Sequence, residues 1–221
     1  MKNKSKWILG GICLSLFLFI NLIYSFRITI MMQAGKFMAP DGKYTADIAI
    51  LEGTEFIDRG VVTCGMNLLT AGKVKRIVVV LYSIAPSGRP FAISKDYPNL
   101  VKKEIEASGL KDKDFKVIVT HIHHPETLIA AIGALKILSK ENIKSAILLS
   151  PGFHTRRSFL IYQHVATSYQ IKIFPYACFD SYQLDHWWSQ ESGVRDFATE
   201  LLELAYYLAK GYIPPRFSYS L

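Results

Sequence analysis

The stretch from Leu148 to Val165, LLSPGFHTRRSFLIYQHV, sets His154, Arg156 and Arg157 directly after an apolar run that stops at Ser150-Pro151-Gly152. A helical pattern begins there. The amino end of a helix carries the positive end of its dipole, so unpaired cations in the first turn cost about 0.3–1 kcal/mol each. Residues of this type at this position call for a negative partner. Backbone N–H groups at the turn, the Ser150 hydroxyl and the guanidinium of Arg156 or Arg157 would together hold a phosphate or carboxylate. The three-residue spacing of His154 and Arg157 lets both reach one point. The structural alternative is that the arginines are solvated, or that one pairs with an acidic residue of the last helix such as Glu200. On the anion reading, Arg157→Ala abolishes function and leaves the thermal midpoint nearly unchanged; on the alternative it unfolds the domain.

Two further segments carry candidate chemistry. In THIHHPET, residues 120–127, His121, His123 and His124 follow a strand-like run and Thr127 lies in the first turn of the next helix. Neutral imidazoles suit a metal, and a metal-dependent hydrolase using His121, His123 and His154 is the enzyme alternative. An HxHH run without a following Asp-His pair is a weak metal signal, so no metal is assigned. Thr127 would donate its hydroxyl to a bound anion or cap its helix. After the turn Glu52-Gly53-Thr54, Arg59 opens another helix at the same expected edge and would add a second cation, or else pair with Asp58 or Glu55. His154 and Arg157 are therefore the candidate catalytic residues, and Gly53, Arg59, Thr127, Ser150 and Arg156 the candidate ligand-binding ones. No GxGxxG follows the first strand and no GxSxG elbow occurs, so no cofactor is expected.

The elements that must position these residues alternate regularly. Runs at 47–51, 76–82, 115–120, 145–150 and 171–176 are continuous and rich in β-branched residues, as strands covered on both faces are. Helical patterns fall between and after them, at about 59–71, 98–108, 125–139, 155–167 and 194–210. The expected fold class is α/β: a Rossmann-like, doubly wound, mainly parallel five-stranded sheet with helices on both faces. Ligands of such sheets lie beyond the carboxyl ends of the strands, where strand order reverses.

Ahead of this domain, Trp7 to Phe26 contains no charged residue, and about 20 apolar residues at 1.5 Å each match a hydrocarbon core of about 30 Å. Three lysines precede the run and Arg27 follows, which favours a cytoplasmic amino terminus and a periplasmic or extracellular domain. The run is longer than the apolar region of a cleaved signal and ends in Tyr24-Ser25-Phe26, so an uncleaved single span is expected. The expected division is an anchor at 1–27, a stalk at 28–46, a domain at 47–213 and a tail at 214–221. Residues 1–46 hold six of the 26 basic and one of the 18 acidic residues, leaving +3 of the formal +8 on the remainder. With the excess charge near the anchor and no basic stripe, no nucleic-acid partner is expected. Cys13 lies in the apolar run; Cys64 and Cys178 would pair only in an oxidising compartment, and two separate buried thiols are the simpler expectation.

The anchor, the strand DIAILEG, Arg59, NLLTAGKVKRIVVV, PETLIAA, LLSPGFHTRRS and a glutamate-bearing last helix together resemble the YdcF/SanA/ElyC-like family of bacterial envelope proteins. The likeness covers about residues 45–210, and its most specific element is the His-x-x-Arg-Ser pattern of His154, Arg157 and Ser158. The resemblance implies a Rossmann-like domain facing the periplasm and a role in envelope biogenesis, peptidoglycan or lipid-carrier metabolism. It also implies an anionic small-molecule or lipid-linked precursor as partner, in a pocket formed by Arg59, Thr127, His154 and Arg157. The chain departs from the pattern where Leu128, Ile129, Ala130 and Ala131 follow the threonine, and at the shortened turns after the first two strands.

Overall fold

The structure is a computed structural model that describes the backbone of residues 2–52, 58–83, 97–107, 109–121 and 125–214. It contains α1 (Lys2–Met38), β1 (Ile48–Glu52), α2 (Arg59–Thr70), β2 (Ile77–Ser83), α3 (Tyr97–Ala107), β3 (Phe115–His121), α4 (Glu126–Leu138), β4 (Ser145–Pro151), α5 (His154–Thr167), β5 (Lys172–Cys178) and α6 (Glu191–Ala209). The five strands form one all-parallel sheet in the order β3-β2-β1-β4-β5. This is the expected α/β, Rossmann-like architecture.

The continuous apolar strands work because successive side chains point to opposite faces and both faces are covered. Ile48, Ile50, Val78, Val80 and Leu148 join the core beneath α4, α5 and α6. Ala49, Leu51, Val79, Ile147 and Leu149 join a second core beneath α2 and α3. Burying each such aliphatic side chain stabilises the fold by about 1.5–3 kcal/mol, so β1, β2 and β4, covered on both sides, are firmly fixed. The carboxyl ends of β1 and β4 carry the candidate site.

α1 is one helix of 37 residues, about 55 Å long. Residues Gly11–Met38 are long and apolar enough to cross a membrane, with a mean hydropathy of 1.8 in their best window. The expected stalk begins as a continuation of this helix, and its last turns belong to the domain: Met38 and Ala39 are buried in the core that contains Trp187 and Leu204. Gly35 is what allows the close approach, since a Cβ there would lie 2.7 Å from Trp187 Nε1. Tertiary packing against Trp187 and Leu184 keeps α1 helical through Gly35, outweighing the roughly 1 kcal/mol propensity penalty of one glycine.

Cys64 of α2 and Cys178 at the end of β5 form a disulfide, with their Cα atoms 6.3 Å apart. This corrects the expectation of two separate thiols. Their 114-residue separation in sequence hid the fact that α2 packs across β1, β4 and the end of β5.

Candidate functional site

In the order β3-β2-β1-β4-β5, the strand order reverses between β1 and β4, and a cavity opens beside that point, beyond the carboxyl ends of β4 and β5. β1 ends in Glu52, a carboxylate only 3% exposed, and β4 ends in Ser150 and Pro151. Gly152 then turns the chain with φ +40, and its N–H donates to Cys178 O at 2.7 Å. A side chain at 152 would meet Tyr182 Oη at 2.5 Å, so the β4–α5 turn requires glycine both for its dihedral and for space. Thr155 Oγ1 donates to Gly152 O at 2.7 Å and fixes the first turn of α5.

From that turn, His154 and Arg157 point inward, each 8% exposed. Arg157 makes a two-pronged contact with Glu200 of α6: Nε donates to Oε2 and Nη2 to Oε1, both at 3.0 Å. Its Nη1 donates to Thr127 Oγ1 of α4 at 3.1 Å, and the guanidinium carbon lies 4.9 Å from the centre of the Tyr207 ring. One arginine thus ties α4, α5 and α6 together. His154 Nδ1 is 3.0 Å from Glu200 Oε1, and its Nε2 is 3.4 Å from Glu52 Oε2 without hydrogen-bond alignment. Ser158 donates to Glu52 Oε2, and Ser150 Oγ lies 3.4 Å from the same oxygen. The fully buried Tyr162 phenol stays protonated, pushed well above its ordinary range by burial and by Glu52.

Electrostatics decide the proton positions. Burial alone would strip the proton from His154, but the carboxylates of Glu200 and Glu52 override it and raise the imidazole from 6.5 to about 9. Burial likewise opposes the charge of Glu200, yet His154 and Arg157 hold it down at about 2. His154 Nδ1 also lies 2.9 Å from Arg157 Nη2. That contact is a hydrogen bond only if Nδ1 is bare, whereas the Glu200 contact requires Nδ1–H. With the ring cationic, Nδ1–H donates to Glu200 and the arginine contact is a close approach of two donors, which both carboxylates offset.

The negative partner demanded by cations at a helix start is therefore supplied from within the protein, by Glu52 and Glu200. The sequence-derived residues Thr127, Ser150, His154 and Arg157 do meet. Arg156 does not join them: its Nε donates to Phe37 O at 2.5 Å, and its guanidinium sits 4.4 Å over the Phe37 ring. Arg59 is the exposed first residue of α2, which packs on the opposite face of the sheet from α5. Gly53, His123 and the side chain of His121 lie outside the described residues. Among the described residues, no group of three or more His, Cys, Asp or Glu could hold a metal ion.

His154 and Glu200 form one wall of a cavity of about 370 Å³. Gly152, Phe153, Phe179, Asp180 and Tyr182 continue it, and Asp58, Arg195 and Asp196 complete its rim. Asp196 is raised above its ordinary range, first by burial, with Glu200 and Asp58 adding to the effect and Arg195 opposing it. The far wall is thus carboxylate-rich, and the buried imidazolium is the cation on the near wall. Glu52 and Ser158 were not singled out as site residues from sequence. The available signals were a lone carboxylate closing an otherwise apolar strand, and a serine one turn after His154 on the same helix face.

No protein-family model, curated protein or solved structure matches the chain, so the reading of the site rests on its own residues.

Proposed function

We propose that this protein is a membrane-tethered α/β protein of the cell envelope that binds a phosphate-bearing or otherwise anionic precursor in the cavity beyond β4 and β5, with its domain outside the cytoplasm. The observation that supports the anion reading is His154, a cavity-lining imidazole kept cationic at neutral pH by Glu200 and Glu52. With Nδ1–H held by Glu200, the proton His154 can offer to an anionic oxygen, or in a hydrolase or transferase to a leaving group, is the one on Nε2, which has no hydrogen-bond partner among the described residues. Arg157 acts through Glu200 in this reading: it fixes the carboxylate that keeps His154 charged, and is a positioning residue rather than a clamp on the ligand. The disulfide adds support for an oxidising, extracytoplasmic setting.

One observation favours a second, noncatalytic reading. The two cations are matched by two carboxylates, so the cluster also serves as a polar tie among α4, α5 and α6 in a membrane scaffold. Titrating the full-length protein with inorganic phosphate separates the two. The proposal expects saturable movement of the His154 ring resonance and a higher thermal midpoint, with the midpoint response lost in His154→Gln. An unmoved resonance at millimolar phosphate contradicts it and leaves the scaffold reading.

A further inference from the structure

The anchor helix docks one aromatic layer from the cavity: it contacts Trp187 and Arg156, which stand outside the lining, and Trp187 packs on Phe153, which belongs to it. From Ile12 to Ile30, every large apolar side chain of α1 is at least 45% exposed. Contact with the domain begins at Met31, whose carbonyl accepts from Trp187 Nε1 at 3.1 Å, and continues through Phe37, whose carbonyl accepts from Arg156, to the buried Met38. Trp187 packs edge-on against Phe153 at 5.3 Å between ring centroids, and Phe153 in turn packs against Phe179 and Tyr182. Phe153, Phe179 and Tyr182 line the cavity.

The charge-free run of α1 ends at Phe26. Five further residues at 1.5 Å each raise Met31 only about 8 Å above that level. Arg27, lying 3.9 Å from the centre of the Tyr24 ring, marks the boundary in the way aromatic and basic residues mark membrane interfaces. Because α1 is one unbroken helix docked through Gly35, the domain does not hang from a flexible tether.

From this we infer that the segment from Phe179 to Trp188, which joins the cavity lining to the anchor contact, rests at the headgroup level of the membrane α1 crosses, so that the site takes a phosphomonoester presented by a lipid rather than one free in solution. The choice of ligand rests on the anion reading; the position of the segment does not. The test uses the full-length chain in phosphatidylcholine nanodiscs. Trp7→Phe leaves Trp187 and Trp188 as the remaining tryptophans of the three. A headgroup spin label is expected to quench their emission, and a helical spacer of about eleven residues, or about 16 Å, inserted after Arg27 should remove the quenching. Emission insensitive to the label in the parent overturns the placement of the segment. In a second arm, phosphatidate in the discs should raise the thermal midpoint of the parent but not of the spacer variant, while soluble glycerol phosphate raises both equally. A spacer variant that responds to phosphatidate as the parent does overturns the lipid source. If neither probe shifts the midpoint while quenching persists, the anion reading fails and the placement of the segment stands.

Discussion

Glu200→Ala lowers stability by about 3–5 kcal/mol, the usual consequence of leaving a buried charge without its partner. In a chain of this size that is a thermal midpoint lower by on the order of 10 °C. Two cations lose their carboxylate at once: Arg157 loses both prongs of its contact and His154 loses its Nδ1 acceptor. The displacement of His154 from 6.5 to about 9 corresponds to about 3 kcal/mol, in line with that range, and it is the same interaction that depresses Glu200, so the two are counted once. The pH dependence follows in sign. His154, raised on folding, contributes stability that is complete below 6.5 and is lost as pH rises through about 9. Glu200, depressed on folding, contributes stability present above 4.5 and lost as pH falls through about 2. Denaturation of Glu200→Ala at several pH values should therefore show both the loss and a flatter profile between 6.5 and 9. The same geometry revises the expectation for Arg157→Ala: its pairing with Glu200 is the structural alternative raised by the sequence, and removing it strands Glu200, so that variant is destabilised. Stability unaltered in Glu200→Ala would mean that the cluster is not assembled.

Reducing the Cys64–Cys178 disulfide has an effect of similar size. Closing a loop of 114 residues restricts the unfolded chain by about 4–5 kcal/mol on the loop-entropy model, and removal of native disulfides commonly costs about 2–5 kcal/mol. Reduction of the purified protein is expected to lower the thermal midpoint by about 10 °C. The Cys64→Ala/Cys178→Ala double variant should match the reduced protein and be insensitive to reductant. Cys178 O also accepts from Gly152 N, so loosening the end of β5 reaches the turn that presents His154. Ready alkylation of both thiols in protein isolated without reductant would contradict the pairing and its implication of an oxidising compartment.

Much of the fold was legible in the sequence because strand and helix periodicities differ and each segment declares one of them. The runs DIAIL and SAILLS are apolar at consecutive positions, a pattern that only a strand covered on both faces accommodates, and they become β1 and β4. The end of α1 was not legible: Gly35 and Pro40 fall in the expected stalk, and only docking against Trp187, more than 150 positions later, brings residues 31–38 onto the domain and Met38 into its core. At the site, His154, Arg157 and Thr127 were found because cations at a helix start and a hydroxyl in a first turn are locally unusual. Glu200 was visible only as one of several acidic residues able to pair with an arginine, since nothing local fixes which face of α6 turns inward. Arg59 is exposed and outside the cavity lining, although its neighbour Asp58 is part of it. Its position after β1 places it at the correct edge, but doubly wound topology sends α2 and α5 to opposite faces, and sequence order alone does not say which.

The most direct test of the account is the titration of the His154 ring, followed by NMR in the full-length protein with His154→Gln for assignment. The account predicts a ring that stays protonated through neutral pH and titrates at about 9, moving down when Glu200 is replaced by alanine. A ring that titrates at or below 6.5 in the native chain would contradict the charged cluster and the function built on it.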